Sequence, residues 1–74
     1  SIQFLNEQYQ SGVFIASGRK VPRTGGIIFA KIDSKEKLED IIAKDPFKQN
    51  DLADYTITEF APTKTIDELR FLME

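Results

Sequence analysis

The chain contains no cysteine and no histidine. The first absence excludes disulfides, thiolate metal sites and cysteine nucleophiles. The second removes imidazole ligands, His-assisted triads and the usual proton shuttle near neutral pH. No apolar run approaches the roughly 20 residues of a membrane span, and no secretory signal pattern is present. An excess of positive charge is missing too. Ten bases against twelve acids give a net charge of −2, whereas a nucleic-acid-binding domain is usually basic. The expectation is a cytoplasmic protein with neither a membrane nor a nucleic acid as partner.

What is present is an ordinary globular composition, 41% hydrophobic and 30% charged, and not that of a disordered tail. Seventy-four residues make one small domain, spanning residues 1–74. A chain of this length removes only about 60% of its unfolded surface from water. Domains this small usually add a disulfide, a metal or a partner subunit. With disulfides excluded and no metal-binding pattern present, a homo-oligomer is expected, most simply a homodimer.

Ile2, Leu5 and Tyr9 recur at helical spacing, with Phe4 beside them, and Gly12 follows where a helix commonly ends in the left-handed conformation. No cap is evident before this helix. Val13-Phe14-Ile15-Ala16-Ser17 reads as a strand, Gly18 to Gly26 as a loop, and Ile27 to Ile32 as a second strand antiparallel to the first. Ser34 is a candidate N-cap for a helix from about Lys35 to Lys44, carried by the Leu38, Ile41 and Ile42 stripe. Pro46 ends that helix, and residues 47–51 read as a polar connection. Tyr55 to Phe60 alternates as a third strand. Thr65 to Glu68 forms a capping box for a last helix with Ile66, Leu69, Leu72 and Met73 on its apolar face.

A strand placed ahead of this order would give βαββαβ with an extra C-terminal helix. The expected class is therefore α+β, a ferredoxin-like split βαβ unit lacking its first strand in this sequence. The hairpin sequence is apolar on two sides. Phe14, Ala16, Ile28, Ala30 and Ile32 can occupy one side, and Val13, Ile15, Ile27 and Phe29 the other. Helices cover one side in this topology, so a second copy of the sheet is expected to cover the other. The competing arrangement has the C-terminal helix wrap round instead.

The stretches Phe4-Leu5, Gly12 to Gly18 and Gly26 to Ala30, followed by an acidic helix and Asp45-Pro46-Phe47, resemble the YciI-like (YCII-related) family over about residues 1–61. The resemblance implies a dimeric α+β barrel with a strand upstream of Ser1 and a pocket at the sheet and dimer interface. It also implies a His–Asp pair whose aspartate maps onto Asp45. The histidine falls at Ser1, so this sequence departs from the pattern there. The few members with an assigned activity are lyase-like enzymes acting on small organic acids, such as dehydrochlorination of muconate-type compounds.

Asp45 is the catalytic candidate. A carboxylate beside proline has a fixed backbone, and partial burial suits a carboxylate to general-base work on a proton alpha to a carbonyl. Asp-Pro is equally ordinary punctuation, with the aspartate bonding nearby backbone N–H groups. The loop Gly18 to Gly26 brings together Arg19, Lys20, Arg23, Thr24 and three glycines. Guanidinium groups and close backbone N–H groups suit a small anionic substrate, with Ser17 and Gly18 at the strand end and Arg19 the cation nearest a pocket. The same loop could be a solvated hairpin tip. It is neither a P-loop nor a dinucleotide-binding turn, and no cofactor is implied. Ser1 and Ser17 lack a base, Tyr9 and Tyr55 read chiefly as core or interface residues, and the pairs Asp51/Asp54 and Asp67/Glu68 lack the ligand count and spacing of a metal loop. Two functions follow: a lyase- or isomerase-type enzyme using Asp45 on an anionic organic acid, or a non-catalytic dimeric module for ligand binding or assembly.

Overall fold

The computed structural model describes residues 1–73. Its elements in chain order are helix α1 (Ile2–Gln10), strands β1 (Phe14–Arg19) and β2 (Gly26–Ala30), helices α2 (Lys35–Ile42) and α3 (Pro46–Gln49), and a 3₁₀ segment (Asp67–Leu72). The fold is α+β, and the strands form a two-stranded antiparallel sheet.

Local chemistry accounts for the helix ends. Ser1 caps α1, its hydroxyl accepting from the Phe4 amide at 3.2 Å, so the cap that seemed missing is the first residue itself. Gly12 ends α1 at φ 82°, a conformation that costs a side-chain-bearing residue dearly. Ser34 caps α2 through the Lys37 amide at 3.1 Å. The Lys37 ammonium lies 2.9 Å from Asp33 and holds that carboxyl below the usual carboxylate range, first by hydrogen bonding and then by charge. The pair is solvent-exposed and contributes little to stability.

The core is small. Phe4, Phe14 and Ile42 are the buried apolar residues among those described. Phe14 meets Phe4 and Tyr9 edge-on, with ring centroids 5.9 and 6.2 Å apart, a favoured aromatic geometry. The Tyr9 and Ser17 hydroxyls share a hydrogen bond. These contacts place α1 on one face of the hairpin. They also correct the helix stripe: Phe4 turns inward while Ile2 is 79% exposed, since two residues rotate about 200° round a helix.

The hairpin register corrects the expected faces. Phe14 pairs with Ala30, but Ala16 already pairs with Phe29, so β1 carries a bulge at Ile15. Cross-strand partners share a face and alternate residues do not. Phe14, Ala30, Ser17 and Ile28 therefore lie toward α1, whereas Ala16 joins Phe29, Gly18 and Ile27 on the opposite face. That face is open: Ile27 is 53% and Phe29 58% exposed. Ile32 falls beyond β2.

Four C-terminal expectations change. Pro46 starts a helical turn, α3, because its fixed φ suits the first helical position. Residues 55–60 form no strand; a β-branched alternating run needs a neighbour to pair with, and none lies alongside. No backbone amide from 53 to 66 donates a hydrogen bond within the chain among the described residues. The last helix is 3₁₀, its N-cap is Ile66, and no side-chain capping bond forms. It does not cover the open sheet face as an α-helix would: Phe60, Ile66 and Phe71 are exposed.

The size of the surface reflects this openness. The accessible area is 6369 Å², against about 4600 Å² for a compact 8.4 kDa monomer. The radius of gyration is 13.1 Å, against about 11 Å for a compact chain of this length.

Phe14 should be the costliest residue to truncate. Phe14→Ala is expected to lower the unfolding free energy by about 3 kcal/mol or more in urea titration, with Phe14→Leu losing less. A loss under about 1 kcal/mol would contradict the packing described.

Candidate functional site

Asp45 is built into the corner between α2 and α3. Its amide donates to the Ile42 carbonyl at 2.9 Å as α2 finishes, and its own carbonyl accepts from the Gln49 amide at 2.9 Å. Pro46 holds the next φ, so the Asp45 carboxylate turns back over the start of α3. Oδ1 accepts from the Phe47 amide at 3.0 Å, and Oδ2 accepts from the Tyr55 hydroxyl at 2.5 Å. Asp45 is the buried charged residue of the described chain, 4% exposed. A buried carboxylate needs such partners, and here both oxygens have one.

Tyr55 pins the irregular segment 53–66 to this corner. Its phenol is pushed well above the ordinary tyrosine range, first by burial and then by the hydrogen bond and charge of Asp45. The phenol consequently stays a proton donor toward Asp45. The sequence alternation places Tyr55 and Ile57 on one face and Thr56 and Thr58 on the other; the first two are half-buried and the second two exposed. Nothing in the spacing announced the partner ten residues away.

The remaining candidates sit elsewhere. Ser17, Gly18 and Arg19 line a groove of about 210 Å³ with Ala16, Ile27 and Phe29, at the edge of the open sheet face. Arg19, Lys20 and Arg23 are exposed, and the loop closes through Lys20 N–H to the Gly25 carbonyl at 2.8 Å. Gly26 passes close to its opposite strand; a Cβ there would stand 3.3 Å from the Gly18 carbonyl oxygen. Asp45 is not among the residues lining this groove, so the expected aspartate and cations do not share one pocket within the chain.

A second cleft, of about 250 Å³, runs between α1 and the Asp45 corner, with Ser1, Phe4, Lys44 and Pro46 in its wall. Asp45 is not among its lining residues, although its chain neighbours Lys44 and Pro46 are. Lys44, which the sequence reading passed over, borders the same cleft; a cation adjacent to the Asp-Pro step was the available signal.

An α+β chain of this order, with a helix–hairpin–helix core and Asp-Pro-Phe at its corner, defines a class of small ferredoxin-like domains. The YCII-related domain matches residues 1–61, and the chain belongs to that family. No curated protein and no solved structure matches it. Among the described residues no helix is long and apolar enough to cross a membrane.

The Tyr55–Asp45 bond gives a pH prediction. Folding raises the Tyr55 pKa above its unfolded value near 10, so the folded state holds this proton more tightly. Its contribution to stability is complete below about pH 10 and declines as pH rises further. Urea unfolding of Tyr55→Phe should show a shallower alkaline decline than the parent chain. Parallel declines would contradict the assignment.

Proposed function

We propose that the chain is a self-associating module that closes its open sheet face on a second copy and binds a small organic anion at the rim of that face. The observation carrying this reading is the continuous apolar face of Ala16, Gly18, Ile27 and Phe29 beside Arg19. A half-exposed phenylalanine and isoleucine on a two-stranded sheet favour burial against a partner. A guanidinium at the edge of such a surface suits a carboxylate whose apolar part rests on the sheet. A cytoplasmic location is part of the reading, in keeping with a cysteine-free chain.

Binding is favoured over catalysis by the state of Asp45. Its two oxygens hold the α3 amide and the Tyr55 phenol, so the carboxylate acts as a structural bracket in the isolated chain. The family's aspartate nevertheless keeps a second reading in play, in which the cleft between Ser1 and Lys44 receives an organic acid. In that reading Asp45 would take up a proton after Tyr55 moves aside, although serine at position 1 supplies no imidazole.

Two experiments separate these readings. Phe29→Asp should shift the chain from dimer to monomer by light scattering, and Arg19→Ala should weaken calorimetric binding of a panel of small carboxylates about tenfold. A dimer indifferent to Phe29→Asp would refute the face contact. Asp45→Asn should lower stability by about 1–3 kcal/mol while leaving carboxylate binding in place. Turnover of any of these acids by the parent chain, abolished in a folded Asp45→Asn variant, would establish the enzyme instead.

A further inference from the structure

The groove on the open face has one wall. We infer that a small apolar monocarboxylate seated in it is enclosed by the second copy, so that ligand binding and self-association strengthen each other. This rests on the reading proposed above and states how its two halves are coupled.

The first argument is enclosure. The groove, of about 210 Å³, is lined by Ala16, Ser17, Gly18, Arg19, Ile27 and Phe29. Ala16, Gly18, Ile27 and Phe29 lie on the open face of the hairpin, with Ile27 53% and Phe29 58% exposed. Gly18 leaves the floor low, since a Cβ built there would meet no atom within 4 Å. There is room for a ring-sized body beside Phe29, but every lining residue belongs to one hairpin. Small-molecule sites enclose about 70–90% of a ligand's surface, and a single sheet face touches a ligand from one side only. Strands added to a sheet lie in its plane, so pairing at either edge would widen this face and leave it uncovered. The opposite wall has to come from a layer packed on the face, and the second copy is that layer in the reading above. The apolar residues that hold the ligand are then the ones that association buries, so the two equilibria are linked.

The second argument is charge, and it gives the linkage the same sign. The Ser17 hydroxyl is already bonded to that of Tyr9. Arg19 is exposed and forms no ion pair among the described residues. It lies with Lys20 and Arg23 in a stretch, 8–30, that contains no acid. Packing a second copy on the face takes water away from the Arg19 guanidinium, and the hairpin has no carboxylate of its own to offset that cost. A bound carboxylate offsets it through a bidentate pair. Contact of the ligand body with both copies and neutralisation of the guanidinium therefore act in one direction. A guanidinium at the rim of an apolar floor selects a single carboxylate on a compact apolar body, for which benzoate is the simplest probe.

The test is sedimentation equilibrium of the chain at fixed ionic strength, with benzoate replacing chloride. The dimer dissociation constant should fall at least about tenfold at saturating benzoate. Acetate, which has the charge without the body, and benzyl alcohol, which has the body without the charge, should leave it nearly unchanged. By reciprocity, calorimetry should find benzoate bound more tightly as chain concentration rises through the dimer constant. In Arg19→Ala, and separately in Gly18→Val, which fills the floor, the dimer constant, whatever its value, should no longer respond to benzoate; circular dichroism checks that both variants fold. A benzoate affinity that stays the same at all concentrations of a chain that dimerises would overturn the coupling and leave the reading above standing. A dimer loosened by benzoate would overturn it as well, because the partner's side chains would then fill the groove. A dimer that takes up no benzoate, or a chain that stays monomeric with and without it, would overturn the inference together with the part of the reading it rests on.

Discussion

The edge-on contacts of Phe14 with Phe4 and Tyr9 close one face of the hairpin and leave the other without a helix. The exposed apolar surface of the hairpin follows from that asymmetry. A two-stranded sheet is not stable alone in water, and α1 supplies one half of the shielding it needs. The bulge at Ile15 then decides which residues remain outside. It turns Ala16 away from Phe14 and sets it beside Phe29 and Ile27, so the open face is apolar throughout its length.

The Asp45 corner solves a separate problem. The chain leaves α2, makes a single turn of helix and runs into a long segment with no backbone ladder. The carboxylate serves both requirements at once, capping α3 with one oxygen and holding the Tyr55 phenol with the other. This explains why an Asp-Pro step can persist as a structural element without a histidine opposite it. It also explains why the aspartate and the basic loop, attractive as a catalytic pair when read in line, do not line a common pocket.

Much of this was visible in the residues themselves. Gly12, Ser34 and the Leu38–Ile42 stripe act through local chemistry, and each does in space what its neighbours in sequence imply. Phe4-Leu5, the glycine-bounded hairpin strands and the Asp-Pro-Phe corner together carried the family resemblance. What could not be read depends on partners distant in the chain. A bulge is a property of two strands in register, so the place of Ala16 was wrong by one residue of slip. The Asp45–Tyr55 bond joins residues with no periodic relation. Tyr55 to Phe60 has strand composition, but a strand also needs a neighbour, which composition does not supply. Ile2 was assigned to the inner stripe by spacing alone, whereas Phe14 selects Phe4.

A domain with three buried apolar residues among those described and an open sheet face should owe part of its stability to association. The most direct measurement is the urea-unfolding midpoint followed over about a hundredfold range of chain concentration. If a second copy completes the fold, the midpoint rises steadily with concentration. A midpoint that stays constant over that range would show that the single chain is complete by itself and contradict the account.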